Sequence, residues 1–171
     1  TAQKEDIETV RRNLQSINPT VRIINGVSAV SVEDKKLITG KRVLVIEDGP
    51  TVTHGGMQYG AGTVAAKEYG AKTLVDPRRF AVGSIVETFE KYPHLINVLP
   101  AMGYGKKQIK ELETTINNAD CDVVISGTPI DLTRVLRTNK PIVRIRYGVG
   151  EKTAREMDTV LEKFIKTKKL L

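Results

Sequence analysis

Arg42-Val43-Leu44-Val45-Ile46-Glu47-Asp48-Gly49-Pro50 is the stretch on which the fold turns. An unbroken apolar run that stops at two acids, a glycine and a proline describes a strand buried on both faces and ending at the carboxyl edge of a parallel sheet. The chain then keeps the same rhythm. Gly60 to Tyr69 reads as a small-residue helix closed by Gly70, Thr73 to Val75 as a strand, Gly83 to Lys91 as a helix stopped by Pro93, and Ile96 to Leu99 as a strand. Ile109, Leu112 and Ile116 share one side of a helix expected from Lys106 to Ala119. Strands at Asp122 to Ser126 and Pro141 to Arg146, a short helix from Asp131 to Leu136 between them, and a helix from Lys152 to Lys169 complete the series. Repeated strand-loop-helix units imply right-handed crossovers. The expected fold is therefore a doubly wound, mostly parallel, Rossmann-like α/β sheet over residues 41–171.

Upstream, Ile7, Val10, Leu14 and Ile17 recur at three and four, which places one apolar stripe on a helix. Asn18-Pro19 ends that helix, because the residue before proline is pushed out of the helical region. Val21 to Asn25 reads as a short strand. A helix and an exit strand with nothing before them are expected to be the tail of an α/β unit whose earlier strands lie elsewhere, so residues 1–40 read as that tail and a linker.

Composition narrows the function. The net charge of +7 sits partly at one end, on Lys163, Lys166, Lys168 and Lys169, where it complements the C-terminus of a helix. With no Trp, 5% aromatic residues and no interleaving of basic and aromatic side chains, a nucleic-acid partner is not expected. The single cysteine, Cys121, rules out a disulfide framework and reads as a reduced, half-buried thiol. One Cys and two separated His do not make a zinc site. No apolar run approaches the roughly 20 residues that span a bilayer, and no signal peptide is visible, so the expected location is the cytoplasm, with no membrane partner.

Ligands of such a sheet bind outside the carboxyl ends of its strands. The first tip, Glu47 to Gly62, carries Gly55, Gly56 and Gly60 leading into a helix, whose backbone N–H groups and dipole suit an anion. Thr51, Thr53, His54 and Tyr59 add side chains, His54 being able to move a proton near neutral pH. Asp48 and Glu47 are the candidates to hold Mg²⁺. At the second tip Arg78 and Arg79 can clamp phosphate in a bidentate manner. The others offer Gly103, Tyr104 and Gly105 at a helix start, Gly127 and Thr128 in a turn, and Arg144 and Arg146 on alternate positions facing one side. His94 reads as a helix-end cap. All five tips are expected to meet in one anion pocket centred on His54-Gly55-Gly56.

The run Val43 to Pro50, with His54-Gly55-Gly56-Met57, Tyr59-Gly60-Ala61-Gly62, Asp76-Pro77-Arg78, Leu99 to Gly105 and Gly127-Thr128-Pro129-Ile130-Asp131-Leu132, resembles the cyclic 2,3-diphosphoglycerate synthetase and predicted-GTPase family of archaea and thermophilic bacteria. The resemblance covers essentially the whole chain. It implies an upstream P-loop NTPase domain, of which residues 1–40 would be the end and to which this chain would dock. It also implies ATP or GTP with Mg²⁺, bound mostly in that domain, and a small phosphorylated substrate such as 2,3-bisphosphoglycerate, closed into an internal phosphoanhydride. His54, Asp48 and Arg78 would be catalytic, and the chain by itself is expected to hydrolyse no nucleotide, since nothing in it cradles β- and γ-phosphates. The alternative is a ligand-binding or oligomerisation module of a GTPase, with a homo-oligomer among its partners.

Overall fold

The computed structural model describes residues 2–168. In chain order its elements are α1 (Lys4–Ile17), β1 (Ser28–Ser31), β2 (Arg42–Asp48), α2 (Gly49–Thr53), α3 (Ala61–Glu68), β3 (Thr73–Leu74), α4 (Ser84–Lys91), β4 (Leu99–Ala101), α5 (Lys106–Asn118), β5 (Val123–Gly127), β6 (Ile142–Arg144), β7 (Arg146–Val149) and α6 (Glu151–Lys168). Two compact units divide the chain, one of Thr1–Ala29 with Gly148–Leu171, the other of Val30–Tyr147.

The unit Val30–Tyr147 contains a five-stranded sheet built on β2. β2 pairs in parallel with β5, Val43 to Glu47 against Val123 to Gly127, and β5 pairs in parallel with β6. β3 takes Arg42 and Val43 of β2, and β4 takes Ile46, Glu47 and Asp48, again in parallel. Strand alternation then divides the side chains. Leu44, Ile46 and Val124 meet Ile85 and Phe89 of α4 and Leu112 and Ile116 of α5 on one face. Val43, Val45, Val123 and Ile125 meet Ala65 and Ala66 of α3 on the other. With each buried Val, Leu or Ile stabilising by roughly 1.5–3 kcal/mol, the continuous apolar run of β2 is explained by helices on both sides. This is the doubly wound, Rossmann-like arrangement expected. β1 pairs with β7 in a separate two-stranded ribbon.

The differences are local. Residues 21–27 form no regular element, and Asn25 and Val27 are held by the start of α6 and the residue before it: Val27 N–H donates to Thr153 Oγ1, Thr153 donates to the Asn25 carbonyl, and Gly150 N–H donates to the Val27 carbonyl. The strand expected at Val21 to Asn25 is thus replaced by β1, further on. The strand expected at Ile96 to Leu99 lies at Leu99–Ala101, where it meets the carboxyl half of β2. The helix expected from Asp131 to Leu136 is a single 3-10 turn, Leu132–Arg134, begun by the Asp131 carboxylate. Lys169 of the last helix lies outside the described residues. No helix among the described residues is long and apolar enough to cross a membrane.

Candidate functional site

Strand register fixes which tips meet. Asp48 of β2 stands beside Ala101 of β4, Glu47 beside Gly127 of β5, and Ser126 beside Arg144 of β6. Four of the five expected tips therefore share one edge. Gly49, the first residue beyond β2, packs so closely on the next tip that a Cβ there would collide with the Ala101 carbonyl oxygen. The second tip follows β3, which pairs lower on β2, at Val43.

Glu47 and Asp48 are neighbours on a strand and so serve opposite faces. Glu47 is buried on the α3 side, 1% exposed. Its Oε1 accepts the N–H groups of Gly60 (3.0 Å) and Thr63 (2.7 Å) and the Thr63 hydroxyl (2.9 Å), while Oε2 accepts the Gly62 N–H (3.1 Å). The first turn of α3 thus receives its anion from the protein itself, which satisfies the donors a helix start leaves unpaired. Gly60, predicted to donate to a ligand phosphate, donates to Glu47 instead. This carboxylate and that of Asp48 do not converge on one cation, and among the described residues no three acids or histidines cluster to hold a metal. Asp48 is the carboxylate left at the edge, accepting the Thr51 hydroxyl at 2.9 Å.

The stretch after β2 is less open than its glycines suggest, since Gly49–Thr53 winds into α2. Thr53 is 5% exposed and donates to the Gly49 carbonyl at 2.8 Å. Its one proton being spent there, its oxygen accepts from His54 Nδ1 at 3.1 Å. In the neutral ring that arrangement leaves Nε2 as the acceptor, on an exposed side chain. Gly55, Gly56 (φ 63°) and Tyr59 follow at the surface. His94 Nε2–H donates to the Val52 carbonyl at 2.8 Å, capping α2 rather than its own helix.

Elsewhere, the Arg78 guanidinium is clamped on Asp76, Nη2 to Oδ2 at 2.6 Å, with the bond from Arg78 holding the Asp76 carboxyl below the usual carboxylate range. Arg79 is exposed beside it. Gly103, Tyr104 and Gly105 are exposed ahead of α5, the Gly105 N–H pointing to Gln108 Oε1 at 3.4 Å. Gly127 and Thr128 turn inward: both are buried, and Thr128 Oγ1 accepts the Ile130 N–H at 3.0 Å. Arg144 donates to the Pro129 carbonyl at 2.8 Å and faces Asp131 at 3.8 Å. Arg146 does not join it. The strand breaks at buried Ile145, and Arg146 enters β7 and pairs with Glu33 at 3.1 Å.

Sequence reasoning missed one role and one residue. The capping role of Glu47 was signalled by an acid at a strand end followed by Gly60-Ala61-Gly62-Thr63 at a helix start. The other is Ser126, 1% exposed at the carboxyl end of β5, whose hydroxyl has no hydrogen-bond partner among the described residues. A hydroxyl inside the run Val123-Val124-Ile125-Ser126 was the visible cue.

The fold and its edge define a Rossmann-like α/β domain with acidic, basic and imidazole groups at the strand tips. No family model matches the chain. Over 166 residues, 97% of its length, it is 57% identical to a protein of Thermococcus kodakarensis named arginine synthetase ArcE, and it spans 37% of that relative. The similarity is thus to part of a synthetase, and the name differs from the cyclic 2,3-diphosphoglycerate synthetase that the motifs resemble, which it does not confirm.

Proposed function

We propose that the chain is the substrate-side part of a nucleotide-dependent, ligase-like enzyme that makes arginine. The observation carrying this reading is the 57% identity, over almost the entire chain, to an arginine synthetase. Building a guanidinium from a carbon that bears oxygen requires that oxygen to leave, and transfer of a phosphoryl group from ATP or GTP turns it into a leaving group. A phosphate-handling edge suits that chemistry as well as it suits phosphoanhydride closure. In this reading Arg144, at the end of β6 on the shared edge, neutralises phosphate charge; Asp48 meets the Mg²⁺ that accompanies the nucleotide; and His54 Nε2 takes the proton released by the attacking nitrogen.

The test uses the polypeptide at its full natural length with Mg²⁺ and ATP or GTP. One reaction supplies ammonia and the ureido amino acid that carries oxygen where arginine carries nitrogen, and the other supplies 2,3-bisphosphoglycerate. Arginine formed in step with nucleotide consumption is the expected result. A cyclic phosphoanhydride seen by phosphorus NMR, without arginine, would replace this reading with the one suggested by the motifs.

A further inference from the structure

We infer that the apolar stripes of α1 and α6 are a docking surface for the remainder of a longer synthetase polypeptide. This rests on the synthetase reading above. Ile7, Val10, Leu14 and Ile17 lie at helical spacing on α1, all exposed, Val10 at 57% and Ile17 at 83%, and α1 buries none of its residues. α6 repeats the pattern with exposed Met157, Leu161 and Phe164, and buries only Thr153. Single exposed apolar side chains are ordinary, but two stripes at helical period within one compact unit are not.

Energetics point the same way. A 14-residue helix is marginal by itself in water and draws its stability from packing of its apolar face. The described tie of α1 to the rest of its unit is polar, Arg11 Nη2 to Asn25 Oδ1 at 3.0 Å, and leaves that face open. Charged Lys4, Glu8 and Arg12 fall on the side of the helix away from the stripe, so the apolar face is set apart from the solvated one. The occupant follows from length. The chain spans only 37% of the arginine synthetase it resembles, so that relative carries more polypeptide beyond the match than within it.

The test places Val10→Cys and Leu161→Cys singly in the polypeptide at its full natural length and follows native-state maleimide labelling, with Cys121 buried and slow. Each new thiol is expected to label at least about tenfold more slowly than in denaturant, as packed surface does. Hydrogen exchange of α1 in the unsubstituted protein supplies the same readout without a substitution, and slow exchange is expected. Labelling as fast as in denaturant, with rapid exchange of α1, would overturn the inference. So would protection that disappears when sedimentation shows a dimer dissociating, because a second copy would then be the cover. Arginine formation is measured on the same preparation: activity with open stripes removes only the docking surface, whereas protected stripes in an inactive protein remove only the reading of its substrate.

Discussion

Glu47 Oε1 accepts both the backbone N–H and the hydroxyl of Thr63, at 2.7 and 2.9 Å, across the boundary between the central strand and the helix that follows it. This pairing makes the end of β2 and the start of α3 one object. It also assigns the positive end of that helix to an internal carboxylate, which leaves Asp48 as the carboxylate at the edge.

Glu47→Ala is expected to destabilise the protein by about 3 kcal/mol or more, because it strands the buried N–H groups of Gly60, Gly62 and Thr63 together. Glu47→Gln keeps the shape but turns an amide donor toward backbone donors, so a loss of about half that size is expected. Urea denaturation measures both. A Glu47→Ala variant as stable as the parent would show that the cap contributes nothing.

Gly127→Ala tests the same junction from the neighbouring strand. A Cβ at position 127 would collide with Glu47 Oε2 and lie 2.6 Å from the Gly62 nitrogen. Since both obstacles are held in place, a loss of roughly 1–3 kcal/mol is expected, as for other overpacked sites. A thermal melt of the variant gives the answer, and an unchanged midpoint would mean that α3 can move away from the sheet at little cost.

The contrast between what the chain announces and what it hides is physical. The apolar run of β2, Asn18-Pro19 and the Ile109-Leu112-Ile116 stripe are local signals, and the elements they predict formed. Val21 to Asn25 is apolar enough for a strand, yet Asn25 and the following Val27 find their partners in Thr153 and Gly150, far along the chain, which no local pattern encodes. The site behaves alike. Four of the five strand tips share an edge because parallel register brings them together, and that much was legible, whereas the tip after β3 lies lower on β2. The inward turn of Thr128, the capture of Gly60 by Glu47 and the separation of Arg146 from Arg144 at Ile145 depend on which side chain reaches a donor first, and these were not.

On the acid side, stability should depend on pH through three carboxyls. Arg42 N–H donates to Asp122 Oδ2 at 2.8 Å, and this bond, followed by those from the Arg42 guanidinium, holds the Asp122 carboxyl below the usual range; Asp76 is lowered by Arg78 and Asp131 chiefly by Thr133. A carboxyl depressed in the folded state adds stability that is complete above its unfolded value, near about pH 4, and is lost as pH falls through the folded value. The melting midpoint is therefore expected to decline below about pH 4 from these groups, and Asp122→Asn should lower the plateau and flatten the decline. An Asp122→Asn variant with the same acid slope as the parent would remove the Arg42 bonds from the explanation.

Ser126 is the place where structure and stability are expected to part. Its hydroxyl is buried beside Ile46 and Arg144 in the sheet register, with no partner among the described residues. A buried hydroxyl without a hydrogen bond carries an uncompensated desolvation cost, so Ser126→Ala, which keeps the strand and removes only that oxygen, is expected to leave stability unchanged or raise it by up to about 1 kcal/mol. Denaturant midpoints at constant slope decide the matter. A loss of about 1 kcal/mol or more would mean that the hydroxyl is hydrogen-bonded in solution. At the carboxyl edge of the sheet a bound water or a ligand group is the natural donor or acceptor for it.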